Sequence, residues 1–207
     1  MKIAGLLLAA GAGTRFGGPK ALAPWQGRFL VERGVSLLGE GGCVPVHVVL
    51  GAERERVAAT ADLSQAVAVE NPDWATGMGS SLRAGLASLP DSAEAVVIAL
   101  VDQPLIGAEA VRRLRRAAAR GAVAAVATYQ GELRNPVLLA RSVWPEAAAS
   151  AEADRGARAY LRAHPARVTL VPCDDTGSPA DVDTPEDLNR LLDDERSGDG
   201  AARSPSI

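Results

Sequence analysis

The sequence has few of the residue types that define several common protein classes. Among its 207 residues only two are cysteine, two are histidine and 3% are aromatic. Cys43 and Cys173 are far apart and show no C-x-x-C or Cys–His spacing, which argues against a zinc site and predicts two buried thiols. Neither His47 nor His164 has the motif context of a Ser–His–Asp triad.

Long apolar runs and excess positive charge are also absent. No hydrophobic stretch approaches the roughly 18 residues of a membrane span, and the chain opens on an apolar segment instead of a signal peptide. The formal net charge of −3 argues against a general nucleic-acid binder. We therefore expect a cytoplasmic protein with no membrane and no nucleic-acid partner.

Short apolar runs alternate with amphipathic segments along most of the chain. The expected strands are 3–8, 44–50, 66–69, 95–100, 122–127, 136–139 and 168–171, and the expected helices are 28–38, 53–60, 79–89, 108–120, 155–163 and one from 185. Apolar strands separated by helices predict a mostly parallel sheet covered on both faces. The fold class is therefore α/β, a single three-layer α/β/α Rossmann-like domain over 1–192, followed by a disordered tail over 193–207.

The first strand runs directly into a glycine-rich loop, A-A-G-A-G-T-R-F-G-G-P-K, over residues 9–20. Small residues let backbone N–H groups approach an anion closely, and Arg15 and Lys20 add two cations. An ordinary strand-exit turn is the alternative. The spacing matches neither the P-loop nor the G-x-G-x-x-G dinucleotide fingerprint. The loop is therefore expected to bind a polyphosphate in another way.

Asp102 follows the apolar strand 95–100, at the end of the sheet where open α/β folds place ligands. Its carboxylate would be costly to desolvate alone, so we expect a cation partner or a helix N-terminus. The alternative, a cap of the next helix, is disfavoured because Gln103 and Pro104 intervene. Asp102 is therefore a candidate binding residue that faces a cation or a helix N-terminus.

A second acidic segment precedes the last helix. Thr184, Pro185 and Asp187 form a helix-start signature, which accounts for those residues structurally. The signature does not explain Asp181 and Asp183, whose alternate positions in an extended segment place both carboxylates on one side. Two like charges there need a bridging cation or screening by water.

Residues 70–82, E-N-P-D-W-A-T-G-M-G-S-S-L, leave the third strand and enter a helix. Exposed N–H groups at the helix start, with the hydroxyls of Ser80 and Ser81, could hold a phosphate or a sugar. A routine serine cap is the alternative.

The loop pattern L-A-A-G-x-G-x-R-F-G-x-P-K over 8–20 resembles the signature loop of the nucleotidyltransferases, most closely the family acting on molybdopterin. The resemblance extends from residue 3 to about 190. It implies that Arg15, Lys20 and Asp102 are catalytic, and that Asp102 binds Mg²⁺ with Asp183, or as second choice Asp181. The nucleotide-binding residues that it implies are Ala9, Ala10, Gly11, Gly13, Lys20, Asn71, Gly79, Ser80 and Ser81.

The long 70–82 turn, with its Trp and Gly-Met-Gly-x-Ser-Leu, resembles the cytidylyl branch of that family. The guanylyl branch has a shorter proline-containing turn, and it carries Gly at the position of Ala10. The resemblance therefore implies CTP as the nucleotide.

Two later segments, 134–137 and 154–158, resemble motifs that face the second substrate in this family. The matches are imperfect, because Arg134 and Ala153 replace the usual residues. The acceptor-binding residues that the resemblance implies are Asn135, Asp154, Arg155 and Arg158. A surface helix with solvated arginines is the alternative for 155–158.

The resemblance implies a CTP:molybdopterin cytidylyltransferase that releases pyrophosphate, with a molybdenum hydroxylase or its maturation chaperone as a possible recipient of the product. One alternative is a transferase for another phosphorylated acceptor, such as a sugar phosphate or a phospholactate-like compound. Another is a non-catalytic nucleotide-binding cofactor chaperone. Retention of both Lys20 and Asp102 speaks against the chaperone.

Overall fold

The computed structural model describes residues 1–151, 153 and 156–201, with only the backbone of 195–201. The strands are β1 Ile3–Leu8, β2 Pro24–Trp25, β3 Arg28–Phe29, β4 Val46–Leu50, β5 Val67–Glu70, β6 Ala95–Leu100, β7 Ala124–Tyr129, β8 Glu132–Ala140 and β9 Val168–Pro172. The helices are α1 Leu30–Glu40, α2 Arg54–Thr60, α3 Met78–Ser88, α4 Ala108–Ala119, α5 Trp144–Ser150, α6 Gly156–Ala163 and α7 Pro185–Ala201.

Seven strands form one sheet in the order β5-β4-β1-β6-β8-β7-β9, and β2 and β3 form a separate hairpin. β8 is antiparallel to both neighbours, and the other pairings in the large sheet are parallel. The mostly parallel sheet predicted from the sequence is confirmed. β8 reverses direction because Gln130 and Gly131 both have positive φ, 52° and 78°, which suits a two-residue hairpin turn.

Helices cover both faces of the sheet. Alternate residues of β1 divide between two hydrophobic clusters, with Leu7 facing α1 and α4, and Leu6 facing α3, α5 and α6. This is the predicted three-layer arrangement. A third, smaller cluster joins the β2–β3 hairpin to α7 through Trp25, Val182 and Leu188.

Several elements of the fold differ from the sequence-based expectation. The short helix α5 and the β2–β3 hairpin are additions, since neither segment is long enough to show a periodic pattern. α7 continues to Ala201. Its backbone therefore extends into the segment 193–207, which was expected to be a disordered tail. The domain boundary at 192 stays a prediction, and residues 202–207 lie outside the described part of the chain.

The cysteines and the helices bear on two further expectations from the sequence. Cys43 and Cys173 are both buried free thiols, as expected. Within the described residues, no helix combines the length and the apolar character needed to cross a membrane.

Candidate active site

The glycine-rich loop closes on itself at the end of β1. The carbonyl of Gly13 accepts hydrogen bonds from the N–H groups of Phe16 and Gly17 at 2.9 Å and of Gly18 at 3.2 Å. Gly13 has a φ of +62°, and a Cβ there would lie 1.9 Å from the carbonyl oxygen of Gly18. Glycine is therefore required at this position for the loop to close.

The loop presents its backbone to an open cavity of about 460 Å³. Among the described residues, none accepts a hydrogen bond from the backbone N–H groups of 11–15. Ala9, Ala10, Gly11, Gly13 and Lys20 line the cavity. Unpaired N–H groups in a tight glycine-rich loop form a concavity suited to phosphate oxygens.

Two carboxylates and two cations meet at the wall of this cavity. Lys20 Nζ donates to Asp102 Oδ2 at 2.9 Å and to Asp183 Oδ1 at 2.6 Å, and Arg15 Nη2 lies 3.1 Å from Asp183 Oδ2. The side chains of Lys20 and Asp102 are only 16% and 23% exposed, whereas that of Arg15 is 73% exposed. The structure therefore joins residues that the sequence separates widely.

Charge pairing in this cluster shifts the pKa values of its members. Desolvation alone would lower the pKa of Lys20, but attraction to Asp102 and Asp183 outweighs it and raises that pKa. The hydrogen bond from Lys20 lowers the pKa of Asp183. Both shifts favour the charged forms of Lys20 and Asp183.

Backbone pairing delivers Asp183 to Asp102. β1 and β6 pair in register up to Leu8 and Leu100, which brings Asp102 beside the start of the loop. The N–H of Val182 donates to the carbonyl of Asp102 at 2.8 Å, and the Val182 side chain is fully buried in the third hydrophobic cluster. Apolar anchoring of Val182 thus fixes the acidic residues on either side of it.

Asp181 has a different environment from Asp183. Its Oδ1 accepts a hydrogen bond from Gln103 Nε2 at 2.9 Å. Partial desolvation and then repulsion from Asp102 raise its pKa, while the Gln103 hydrogen bond and the charge of Arg158 oppose that shift. The geometry favours Asp183 over Asp181 as the second metal ligand.

Asp102 and Asp183 are the residues here that could hold a divalent cation. The described residues contain no group of three or more His, Cys, Asp or Glu side chains placed to hold a metal ion. Mg²⁺ needs fewer, since it commonly takes one or two carboxylates and completes its shell with phosphate oxygens and water. Asp102 Oδ1 is buried and has no hydrogen-bond partner in the described part of the chain, so it is available as a ligand.

The 70–82 turn is mostly held together internally. The buried Asn71 donates from Nδ2 to the hydroxyls of Ser80 at 2.9 Å and Ser81 at 3.0 Å, and its Oδ1 accepts from the N–H of Asp73. Of the four nucleotide-binding residues expected here, only Ser81 lines the cavity; Asn71, Gly79 and Ser80 do not. Asn71 and Ser80 shape the turn, because their side chains make their hydrogen bonds within it.

The same turn contributes further wall residues, none of which was among the individually expected binding residues. Trp74, Gly77 and Met78 line the cavity. Trp74 packs closely over Gly51, where a Cβ would lie 2.4 Å from Trp74 Cβ. Gly51, directly after β4, is the feature of the sequence that could have indicated this close packing.

Part of the expected acceptor set meets in a smaller cavity of about 200 Å³. Asn135 and Arg158 line it, together with the unpredicted Arg134 and Arg162. Asn135 is 6% exposed and its Nδ2 has no partner among the described residues. Asp154 and Arg155 lie outside the described residues.

The register of β6 and β8 places this cavity near the carboxylates. Ile98 pairs with Val137 in antiparallel strands, so Asn135 lies two residues further toward the end of β6 that leads to Asp102. Arg158 is also close enough to lower the pKa of Asp181. The two cavities therefore open toward the same end of the sheet.

Comparisons with known proteins agree with this geometry. A family model described as a MobA-like NTP transferase domain matches residues 5–168. A nicotine blue oxidoreductase from Paenarthrobacter nicotinovorans is 41% identical over 197 residues, covering 92% of this chain and 96% of that protein. A molybdenum cofactor guanylyltransferase from Xanthomonas euvesicatoria pv. vesicatoria is 31% identical over 191 residues, covering 91% and 93%.

A solved structure with the same fold was determined with a bound metal ion. The crystal structure of Rv0371c from Mycobacterium tuberculosis in complex with manganese matches with a TM-score of 0.77 and 28% identity, covering 93% of this chain and 99% of that one. The family predicted from the loop and its partner motifs is thereby confirmed. The chain belongs to the MobA-like NTP transferase domains, within the molybdopterin nucleotidyltransferase family.

Proposed function

We propose that this protein transfers a cytidylyl group from CTP to the terminal phosphate of a molybdopterin-type acceptor and releases pyrophosphate. The observation that carries the proposal is the cluster of Lys20, Asp102 and Asp183 beside the glycine-rich loop. A loop with free N–H groups binds phosphates, and paired carboxylates hold a divalent cation, which we take to be Mg²⁺. Transfer to a phosphorylated acceptor needs both.

The reaction follows from these positions. An oxygen of the acceptor phosphate attacks the α-phosphorus of CTP, and the bond to the β-phosphate oxygen breaks, so that pyrophosphate leaves with the electron pair. Lys20 and Arg15 offset the negative charge that develops on the phosphates. A cation held by Asp102 and Asp183 would supply further positive charge to the reacting phosphates.

The smaller cavity is proposed as the acceptor subsite. Asn135 is buried with an unsatisfied Nδ2, which a pterin-like heterocycle could satisfy by accepting a hydrogen bond. Arg158 supplies positive charge for an anionic group. The alternative drawn from the sequence was a surface helix on which Arg158 is solvated. Arg158 lines the same cavity as Asn135, which favours a role in binding.

We expect Asn135→Ala to raise the acceptor KM by about 10-fold or more while the CTP KM changes little. A buried amide group without a hydrogen-bond partner costs free energy. The hydrogen bond from Asn135 Nδ2 to the acceptor should therefore contribute about this factor to acceptor affinity. Steady-state kinetics with each substrate varied in turn measure both constants. An equal change in the two KM values would show that Asn135 does not serve a separate acceptor subsite.

Base preference is proposed from the cavity wall. Ala10 lies in the cavity with Trp74, and both reduce the room for a purine. A misfit of one methyl group or one ring discriminates by only about 1–3 kcal/mol. We therefore expect kcat/KM for CTP to exceed that for GTP by roughly 10-fold or more, measured in competition assays. A preference for GTP would place this protein with its guanylyltransferase relative instead.

A second candidate function comes from the 41% identical relative named nicotine blue oxidoreductase, whose identity to this chain exceeds that of the 31% identical guanylyltransferase. In this alternative the cavity holds a dinucleotide hydride donor, and a nicotine-blue-like dye is the acceptor. The pair of carboxylates, Asp102 and Asp183, has no evident task in hydride transfer. We therefore place this function second.

One panel separates these candidates. Pyrophosphate release is followed with CTP, GTP, ATP and UTP against molybdopterin, a hexose 1-phosphate and phospholactate, and NADH and NADPH oxidation is followed with nicotine blue. Release that depends on both CTP and molybdopterin supports the proposal. Release with a different phosphate acceptor supports the general transferase, nucleotide binding without turnover supports the chaperone, and hydride-donor oxidation supports the reductase.

A further inference from the structure

The ammonium group of Lys20 engages both proposed metal ligands at once. It lies 2.9 Å from Asp102 Oδ2 and 2.6 Å from Asp183 Oδ1, and these two residues approach it from different parts of the chain. The lysine therefore occupies the position between the two carboxylates that a shared divalent cation would need.

A lysine and a divalent cation cannot occupy this pair of carboxylates together. Their like charges would lie within a few ångströms in a half-buried setting, where water screens poorly. The four-carbon stem of Lys20 is flexible, and the open cavity beside it contains the unpaired N–H groups of 11–15. A phosphate bound by those groups offers Lys20 a new anionic partner.

We propose that Lys20 is an exchangeable counter-ion of the metal carboxylates, released to the nucleotide phosphates when the nucleotide binds. This inference rests on the function proposed above. Without nucleotide, Lys20 offsets part of the negative charge of Asp102 and Asp183 and keeps a metal ion from binding tightly. With nucleotide, the ammonium moves to a phosphate and both carboxylates become free. Metal and nucleotide must then bind with positive and reciprocal coupling.

Arg15 provides a matched control within the same cluster. It carries the same charge and contacts Asp183, but through the other oxygen at 3.1 Å, and it is 73% exposed. Removing either cation makes the site more negative. Only removal of Lys20 also vacates the position between the two carboxylates.

The test is a titration of Mn²⁺, with free ion measured by electron paramagnetic resonance, on the wild type, Lys20→Met and Arg15→Met. Each protein is titrated with and without the non-hydrolysable α,β-methylene analogue of CTP. Without nucleotide, we expect Lys20→Met to bind Mn²⁺ about 10-fold or more tightly than the wild type, and Arg15→Met to change affinity by less than about 3-fold. The analogue should tighten Mn²⁺ binding about 10-fold or more in the wild type and far less in Lys20→Met.

Unchanged or weaker Mn²⁺ affinity in Lys20→Met, or an equal gain in Arg15→Met, would overturn the exchange. Lys20→Gln is a second neutral variant should thermal unfolding show that Lys20→Met does not fold. If wild-type protein turns over CTP but the Lys20 variants gain no Mn²⁺ affinity, only the exchange fails. If the wild type binds no Mn²⁺ even with the analogue, the proposed function fails with it.

Discussion

Asp102→Asn should lower kcat by about 100-fold or more, while CTP affinity measured without a divalent cation stays within about 3-fold of the wild type. Asparagine keeps the size of the side chain but removes the charge that attracts Lys20 at 2.9 Å and would hold the metal ion. The triphosphate is bound mainly by the loop backbone, which this change leaves intact. Turnover is measured as pyrophosphate release at saturating Mg²⁺, and affinity by calorimetry.

Asp181→Asn is the control for the loss of a neighbouring carboxylate. Asp181 is hydrogen-bonded to Gln103 instead of Lys20, so its replacement should reduce kcat by less than about 5-fold. Near-normal turnover by Asp102→Asn would refute the assignment of Asp102 as a metal ligand. A loss in Asp181→Asn as large as that in Asp102→Asn would make Asp181, and not Asp183, its partner.

Gly13→Ala should weaken CTP binding by about 10-fold or more and reduce turnover by about 100-fold or more, with the fold retained. A Cβ at this position would lie 1.9 Å from the backbone oxygen of Gly18, which cannot move away as a flexible side-chain end could. The loop must open, and the N–H groups of 11–15 then no longer converge on one anion. Calorimetry and circular dichroism measure the binding and the fold.

Gly17→Ala separates steric clash from backbone strain. Gly17 also has a positive φ, +88°, but a Cβ there meets nothing within 4 Å. We expect a change in CTP affinity of less than about 3-fold, since a strained but unobstructed alanine costs only about 1 kcal/mol. Equal losses in the Gly13 and Gly17 variants would mean that strain alone, and not loop closure around Gly13, controls binding.

Local patterns predicted much of the fold from the sequence. β1 and β6 have the expected bounds, and α4 begins at Ala108 as expected, because uniform apolar runs and a strong amphipathic face leave little ambiguity. The start of α7 also follows from local chemistry: Thr184 and Asp187 exchange the hydrogen bonds of a helix-start box. The longer antiparallel β8 was not expected, since Gln130 is an unusual first residue for a tight hairpin.

The candidate site was likewise predicted only in part from the sequence. Sequence motifs singled out Lys20, Asp102 and Asp183, whose chemistry alone suggests a metal and a phosphate, and the structure brings these three into contact. Sequence could not show that Asn71 satisfies its amide within its own turn, because that depends on how the turn packs. Nor could it show Arg134 and Arg162 around Asn135, since β8 and α6 meet only in the folded chain.

The most direct test of nucleotidyl transfer is the stoichiometry of pyrophosphate in one reaction containing CTP, molybdopterin and Mg²⁺. We predict pyrophosphate released in equal amount to a cytosine dinucleotide product identified by mass spectrometry, with about 100-fold less of both in Asp102→Asn. Pyrophosphate release no faster than in the acceptor-free reaction with any nucleoside triphosphate, together with consumption of NADH or NADPH by the same preparation, would contradict it.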